Sequence, residues 1–257
     1  MTFPMESLEQ MQGFFWVLVR VSIMFFLLPL FGARGIPTIW KAGLSIVVAL
    51  VLTPVVPPIR NLPTTLPELV IGVTAEAVLG LILAVSIKML FTIVQMAGQF
   101  MSFQMGFGMA RAIDPQTGVQ STVLTQFMYL FTILFFFAID GHHIFIRALA
   151  ASFYMVPPNS LSFDPSLTEV LIRISGNMFM MGVKIAAPIM VSLFLSNLCL
   201  GIVARTVPQV NILMVGFPIN LCLGLILFSL ILKNISPLLT DLFNSMGEIL
   251  SHLIQLM

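Results

Sequence analysis

Long apolar runs dominate this sequence and restrict it to folds that satisfy their own backbone hydrogen bonds. Six runs stand out, at about 13–31, 42–56, 69–94, 119–139, 178–204 and 210–232. Most reach the roughly 20 residues that an α-helix needs to cross the hydrocarbon core of a bilayer. Charged residues make up only 8% of the chain, whereas a soluble domain carries roughly 25%. The sequence therefore predicts a polytopic membrane protein.

The segments between and after these runs complete an all-α pattern. Prolines cluster at 54–67, 157–165 and 208, and no strand-like alternation of useful length is present. The second run is short and ends in TPVVPP, so we expect it to be tilted, broken or partly inserted. Stretch 142–156 is amphipathic. The predicted fold is an all-α polytopic membrane protein with about six long apolar helices plus amphipathic helices.

The C-terminal stretch SPLLTDLFNSMGEILSHLIQLM is strongly amphipathic when drawn as a helix. We expect this helix to lie on a surface or to pack on a partner. Its predicted apolar face consists of Leu239, Leu242, Phe243, Met246, Ile249, Leu250 and Leu253. Its predicted polar face consists of Asp241, Asn244, Glu248 and His252.

Several function classes find no support in the sequence. A net charge of +1 argues against a nucleic-acid partner. Phosphate-cradling motifs and the GxSxG nucleophile elbow are absent, so we predict no cofactor and no enzymatic activity. Cys199 and Cys222 lie inside apolar runs and are interpreted as small buried side chains. The basic residues divide evenly between the two sides of a six-span arrangement, so the positive-inside rule gives no orientation.

Four ionisable side chains lie inside apolar runs: Arg20, Glu76, Lys88 and Lys184. An unpaired charge at the bilayer centre costs at least about 2.5–3.5 kcal/mol, so each needs a partner, water or a protein environment. Glu76 and Lys88 are too far apart along one helix to pair, so their partners must come from other helices. We favour structural pairing, or snorkelling near helix ends, over a substrate or proton pathway.

The tetrapeptide Asp140-Gly-His142-His143 comes nearest to a chemical site. Asp140 and His143 are three residues apart and can share a helical face, as metal ligands do. No third ligand was expected from the neighbouring sequence, and Gly141 marks a helix end. We therefore favour a polar cluster at a helix end over a metal or acid–base site.

Residues 103–118 read FQMGFGMARAIDPQTG, a flexible and charged break in an oily chain. Met101, Met105 and Met109 recur every four residues on its approach, and Gln95, Gln99 and Ser102 form a polar stripe beside them. A polar stripe on a membrane helix usually turns towards other helices or water. Methionine fills irregular gaps and repacks around changing shapes. We interpret the pore-facing or sealing candidates as Gln95, Gln99, Met101 and Met105.

Four stretches together resemble the FliR family of export-gate subunits. They are GFGMARAIDPQTGVQS at 106–121, FMYLFTILFFFAIDGHHIFIRALAASFYMVPP at 127–158, ARTVPQVNILMVGFPINLCLGL at 204–225 and VRVSIMFFLLPLFGARGIPTIWKAGLSIVVAL at 19–50. The most specific elements are Asp-Pro-Gln at 114–116 and Pro-Gln-x-Asn at 208–211. The resemblance covers nearly the whole chain in the right order.

This resemblance implies a single helical export-gate domain over 1–257. A FliP-like part would cover about 1–177, and a FliQ-like helical hairpin with the C-terminal amphipathic helix would cover about 178–257. The family's members assemble with FliP and FliQ into an inner-membrane channel of the flagellar basal body. FlhB wraps that assembly, FlhA lies beneath it, and unfolded flagellar subunits pass through. Because such subunits contact each other more than lipid, we expect six ordinary spans to be a misleading description.

The resemblance also implies that the break in the chain is a pore plug. Irregular backbone at membrane depth is tolerated only where it is buried in protein or lines an aqueous cavity. Glycines allow such a segment to move aside. The plug residues implied by the resemblance are Gly106, Phe107, Gly108, Met109, Arg111, Asp114, Pro115, Gln116 and Gly118.

Three alternatives stay open at this point. The chain could be the homologous gate subunit of a virulence injectisome, which is built alike. It could be a stand-alone secondary transporter, because Arg20, Glu76 and Lys88 lie at membrane depth, although no internal repeat of broken helices is present. It could also be a membrane enzyme that uses Asp140, His142 and His143.

Overall fold

The computed structural model describes residues 8–28, 37–57, 65–107, 122–158, 160–162, 164–207, 209 and 212–257. In these ranges the chain forms eight α-helices and no strand, which confirms the predicted all-α class. They are α1 (Leu8–Leu27), α2 (Thr38–Leu52), α3 (Leu66–Gln104), α4 (Val123–Ala138), α5 (Gly141–Met155), α6 (Ser166–Thr206), α7 (Ile212–Asn234) and α8 (Ser236–Gln255).

Three helices are long and apolar enough to cross a membrane: α3, α6 and the Met214–Asn234 part of α7. The pair α4 and α5 passes the same test together but is bent by 72° between the two helices. The first two apolar runs give only shorter apolar helices, the Met11–Leu27 part of α1 and α2. All six runs therefore form helices, but the described residues offer three candidate spans, or four if the bent pair crosses.

Local signals in the sequence set where two of the long helices begin. Ahead of α3, the Thr65 hydroxyl accepts from the Glu68 N–H and the Glu68 carboxylate accepts from the Thr65 N–H, as in a capping box. Ahead of α6, the Asp164 carboxylate accepts from the Ser166 N–H at 2.8 Å, with Pro165 between them. Polar residues therefore start helices that become apolar further along.

Two compact units interleave along the chain. Unit 1 consists of Met1–Leu90, Phe136–Ile174 and Phe243–Met257, and unit 2 consists of Phe91–Phe135 and Ser175–Leu242. Both units draw residues from α3 and from α6. The division expected from the family resemblance, near residue 177, concerns ancestry of the parts and stays a prediction.

The core of unit 1 forms around α1, the first part of α3, α5 and α8. Its buried side chains include Trp16, Val21, Leu83 and Phe153, and the Phe136 and Phe243 rings meet edge to face at 5.2 Å. On α8 the predicted faces are confirmed. Every predicted apolar residue is buried except Ile249, which is half-buried, and all four predicted polar residues are exposed.

The core of unit 2 includes few side chains of α6 and α7, because most of the apolar side chains on these helices are not buried. Buried residues include Ala97, Met101, Met128 and Leu193. Only 22% of the apolar window of α6 and 17% of that of α7 are buried, against 56% in α3. Cys199 and Cys222 are exposed on these helices, so the expectation that they are buried was wrong. Hydropathy cannot separate a side chain that faces lipid or a partner from one in the core of its own chain.

Candidate functional site

The predicted plug follows the end of α3, and only its first two residues, Gly106 and Phe107, are described. The remaining predicted plug residues lie outside the described part of the chain: Gly108, Met109, Arg111, Asp114, Pro115, Gln116 and Gly118. The residues on both sides of 108–121 are described, and they all belong to unit 2. The described residues that flank 108–121 are called the first anchor, at the end of α3, and the second anchor, at the start of α4.

The first anchor ends α3 with a glycine turn. The Met105 N–H donates to the Met101 carbonyl at 3.0 Å, and the Gly106 N–H donates to the Phe103 carbonyl at 3.1 Å. Gly106 has a φ of +89°, in the left-handed region that glycine adopts without a Cβ penalty. A Cβ at this position would also lie 3.1 Å from the Phe217 ring. Glycine is therefore favoured here by its conformation, and any larger residue would also displace the Phe217 ring slightly.

Directly before this turn, the Met105 side chain packs the end of α3 against α7. Its side chain is fully buried, and a Cβ added to Gly224 would lie only 2.6 Å from the Met105 Cγ. Met101, one turn earlier, is also fully buried. Neither methionine is exposed in this chain, so a sealing role for them would act through packing beneath the plug, and it stays a prediction.

The second anchor is a hydroxyl network at the start of α4. The Thr122 and Ser102 hydroxyl oxygens lie 2.6 Å apart, and those of Thr122 and Thr125 lie 2.8 Å apart. The Thr122 hydroxyl also accepts from the Thr125 N–H at 3.3 Å, the bond that an N-cap residue makes. Because Ser102 lies on α3, this network joins the helix before residues 108–121 to the helix after them.

The polar stripe on α3 is divided by this arrangement. Ser102 turns inward and is fully buried in the hydroxyl network. Gln95 is half-buried and Gln99 is exposed. Phe103 is 77% exposed directly before the turn. Of the predicted pore-facing candidates, Gln99 is the one whose side chain is exposed on this chain.

Arg20 and Glu76 form the electrostatic centre of unit 1. The Arg20 Nε donates to Glu76 Oε2 at 2.6 Å, and its Nη2 donates to Oε1 at 2.9 Å. Further bonds run to the Ser152 hydroxyl at 2.9 Å and the Val156 carbonyl at 3.0 Å, and the guanidinium lies 4.0 Å from the Phe153 ring centroid. The predicted pairing between helices is thus confirmed for these two charges. A buried charge is tolerated when it is paired and fully hydrogen-bonded in this way.

The two lysines are placed differently. Lys88 and Lys184 are both exposed, whereas Arg20 and Glu76 are buried. Exposure lets a lysine head group reach water or a partner while its stem covers apolar surface. The four predicted intramembrane charges therefore divide into one buried pair and two exposed lysines.

The break between α4 and α5 brings Asp140, His142 and His143 together. Asp140 Oδ1 lies 3.4 Å from His143 Nδ1 and 3.9 Å from His142 Nε2. Asp140 has a φ of +56°, a left-handed conformation that a non-glycine residue rarely adopts. The cluster lies at a helix end, as predicted, but His142 joins it as a third member that the spacing argument had not included.

Sequence reasoning missed the partners that lie far along the chain. Ser152 is 132 residues from Arg20, and Thr122 is 20 residues from Ser102. No periodicity within one helix reports a contact between two helices. A weak signal was present for Thr122, because a threonine before an apolar run is a typical helix N-cap.

Known proteins are similar in sequence to this chain over most of its length. Residues 11–246 match the profile of the family described as "Bacterial export proteins, family 1". The flagellar biosynthetic protein FliR of Bacillus subtilis is 33% identical over 95% of both chains. FliR of Pectobacterium carotovorum is 33% identical over 97% of this chain and 95% of its own. FliR of Escherichia coli is 27% identical over 96% of both.

Proposed function

Because this chain belongs to bacterial export protein family 1, we propose that it is a non-enzymatic subunit of the flagellar type III protein export gate. In this proposal it forms, with FliP and FliQ, the inner-membrane channel through which unfolded flagellar subunits leave the cell. FlhB and FlhA are the further partners. The similarity to flagellar proteins over nearly the whole chain favours this reading over a gate subunit of an injectisome.

Partner subunits are supported by the uncovered apolar surface of unit 2. Large apolar side chains on α6 and α7 are exposed, among them Phe194, Leu195, Phe217 and Ile226. Large apolar side chains exposed on long helices in this number are left for lipid or for other proteins. We assign it to FliP-like and FliQ-like helices, which would make the chain functional only within a hetero-oligomer.

The plug role is carried by one observation: both ends of residues 108–121 are fixed to the same unit. Gly106 turns the chain out of α3 above buried Met105, and Thr122 returns it into α4 with a bond to Ser102. A segment held at both ends can be displaced without loss of its anchors. In the proposed gate, residues 106–121 fill the lumen at rest and move aside when a substrate enters.

The transporter alternative has lost part of its motive. It relied on Arg20, Glu76 and Lys88 at membrane depth together with the broken second segment, and Arg20 and Glu76 pair with each other in a buried, hydrogen-bonded cluster. Such a pair leaves no open carboxylate or guanidinium edge for a small solute. We therefore do not carry this alternative further.

Deletion of residues 111–116 tests the plug. We expect the complex to assemble with FliP and FliQ while the membrane becomes permeable to ions, measured by conductance across bilayers that contain the purified complex. A six-residue Gly-Ser replacement is the matched control for loop length. An assembled complex that conducts no more than the wild type would refute the plug. Failure of the intact chain to co-purify with FliP and FliQ would refute the gate assignment itself.

A further inference from the structure

A second group of side chains that can bind a ligand belongs to unit 1, whereas the plug anchors belong to unit 2. One donor atom from each of Asp140, His142 and His143 lies within 4.8 Å of the other two. Two neutral imidazoles and a carboxylate are the ligand types that zinc and similar divalent metals take. Bond lengths of about 2.0–2.2 Å in a tetrahedral site place ligand atoms about 3.4 Å apart. The Asp140–His143 separation of 3.4 Å meets this value and the Asp140–His142 separation of 3.9 Å is close to it.

The backbone directs the Asp140 carboxylate towards the imidazoles. Asp140 precedes the first residue of α5, where an aspartate usually accepts a bond from the N–H groups of the first turn. Here its side chain makes no capping bond. The backbone of Asp140 is left-handed, with φ +56° and ψ +27°, and its side chain does not cap the helix. The Asp140 carboxylate thus does not cap α5, and it lies next to two histidines instead.

His142 carries an unmet requirement of its own. Its ring lies between the His143 ring, at 4.2 Å, and the Phe137 ring, at 5.6 Å. The nitrogen of the His142 ring that faces Asp140 is Nε2, whereas Nδ1 is buried and makes no hydrogen bond within the described part of the chain. A metal ion binds an imidazole through a ring nitrogen, and each of the two rings places one nitrogen within 4 Å of the Asp140 carboxylate.

We propose that Asp140, His142 and His143 form a binding site for one divalent transition-metal ion of the zinc class. Three protein ligands leave a fourth position for water, because the cluster is open to solvent on the Asp140 and His143 side. The ion would join the residue in the break between α4 and α5 to the first turn of α5. It would thereby hold the local geometry of the 72° bend.

Cobalt titration of the full-length purified chain in detergent, after chelator treatment, tests this site. Tetrahedral cobalt gives visible absorption, and zinc should displace it at one ion per chain. Changes in second-shell partners alone weaken metal binding about 10–100-fold, so loss of a direct ligand should cost at least about 100-fold. We expect that loss in His142→Ala, in His143→Ala and in Asp140→Asn, which keeps the shape of the side chain.

His252→Ala is the matched control, because His252 is an exposed histidine on α8 of the same unit. It should bind cobalt as tightly as the wild type. The helical circular dichroism of every variant reports whether it folds. If a histidine variant does not fold, the cobalt affinity of Asp140→Asn still tests the site. The proposal fails if the wild type binds no cobalt or zinc, or if the His142→Ala/His143→Ala double variant binds them as tightly.

Discussion

Arg20 and Glu76 meet in the interior of unit 1 through two parallel hydrogen bonds, of 2.6 and 2.9 Å, between one guanidinium and one carboxylate. This fork geometry is specific to arginine, since lysine offers a single point charge. The same guanidinium also bonds to Ser152 and to the Val156 carbonyl at the end of α5. One side chain thus connects α1, α3 and α5.

Replacing one member of this pair should be far more harmful than replacing both. Arg20→Met or Glu76→Leu alone leaves an unpartnered buried charge, and we expect each to lower the free energy of unfolding by about 3–5 kcal/mol. The double variant should recover much of that loss. Thermal unfolding of the detergent-solubilised protein measures the difference.

The exposed pair Arg173 and Glu169 on α6 is the control for this prediction. Its Nη2–Oε1 distance of 2.9 Å equals that of the second Arg20 bond, but both side chains are mostly exposed. Exposed pairs contribute little to stability. If Arg20→Met were no more harmful than Arg173→Met, burial would not govern the strength of the pair.

Gly106→Ala should destabilise the turn at the end of α3. A left-handed conformation costs an L-residue about 1–2 kcal/mol, and the new methyl group would also press on the Phe217 ring at 3.1 Å. We expect a lower midpoint of thermal unfolding and a higher ion conductance of the assembled gate.

Gly176→Ala on α6 is the matched control, because nothing lies within 4 Å of an added Cβ there. Alanine in a helix interior is favoured over glycine by roughly 0.5–1 kcal/mol, so this variant should be neutral or slightly stabilised. Equal effects of the two substitutions would contradict the role assigned to the Gly106 turn.

Thr122→Val should loosen the second anchor. It removes the hydroxyl that bonds to Ser102 and Thr125 while keeping the size of the side chain, and a lost hydrogen bond of this kind costs about 0.5–1.5 kcal/mol. We expect increased conductance with assembly unchanged. Ser86→Ala, which removes a buried hydroxyl bonded only to the Ile82 carbonyl of its own helix, should change neither.

Acid should weaken the start of α6. The backbone N–H of Ser166, and then its hydroxyl, hold the pKa of the Asp164 carboxyl below its ordinary value. A carboxyl whose folded pKa is lowered stabilises the fold above its unfolded pKa, and this contribution is lost as the pH falls through the folded pKa. Amide hydrogen exchange at Ser166 should therefore speed up at low pH beyond its intrinsic trend. In Asp164→Asn this additional increase in exchange rate should be absent. If the increase persisted in that variant, a titrating group other than Asp164 would cause it.

The helices were largely predictable because hydropathy and amphipathic periodicity are local properties. The faces of α8 followed directly from the spacing of residues such as Phe243, Met246 and Leu250. The extension of α3 to Gln104, past the end of its apolar run at 94, also followed from the helical spacing of Gln95, Gln99 and Ser102. The start of α6 was less predictable. α6 begins at Ser166 instead of 178 because Glu169 and Arg173 form an (i, i+4) ion pair in its polar first turns.

The candidate site was predictable in position but not in its contacts. The glycine-rich break after α3 could be located from composition alone, and Gly106 is indeed left-handed. The burial of Met105 against Gly224 could not be inferred, because helical spacing does not tell which face of a helix meets α7. The convergence of His142 with His143 and Asp140 depends on the backbone conformation at Asp140, which aspartate adopts only rarely.

The Arg20 cluster has a consequence for the order of synthesis. Glu76 lies 56 residues after Arg20, and Ser152 lies 132 residues after it. At roughly 5–20 residues per second, the ribosome delivers the carboxylate about 3–11 s after the guanidinium, and the serine later still. During that interval α1 carries a cation without its eventual partner, so it is poorly suited to enter the hydrocarbon core by itself. Its insertion should therefore wait for α3, so α1 is translated before α3 but reaches its final place only together with it.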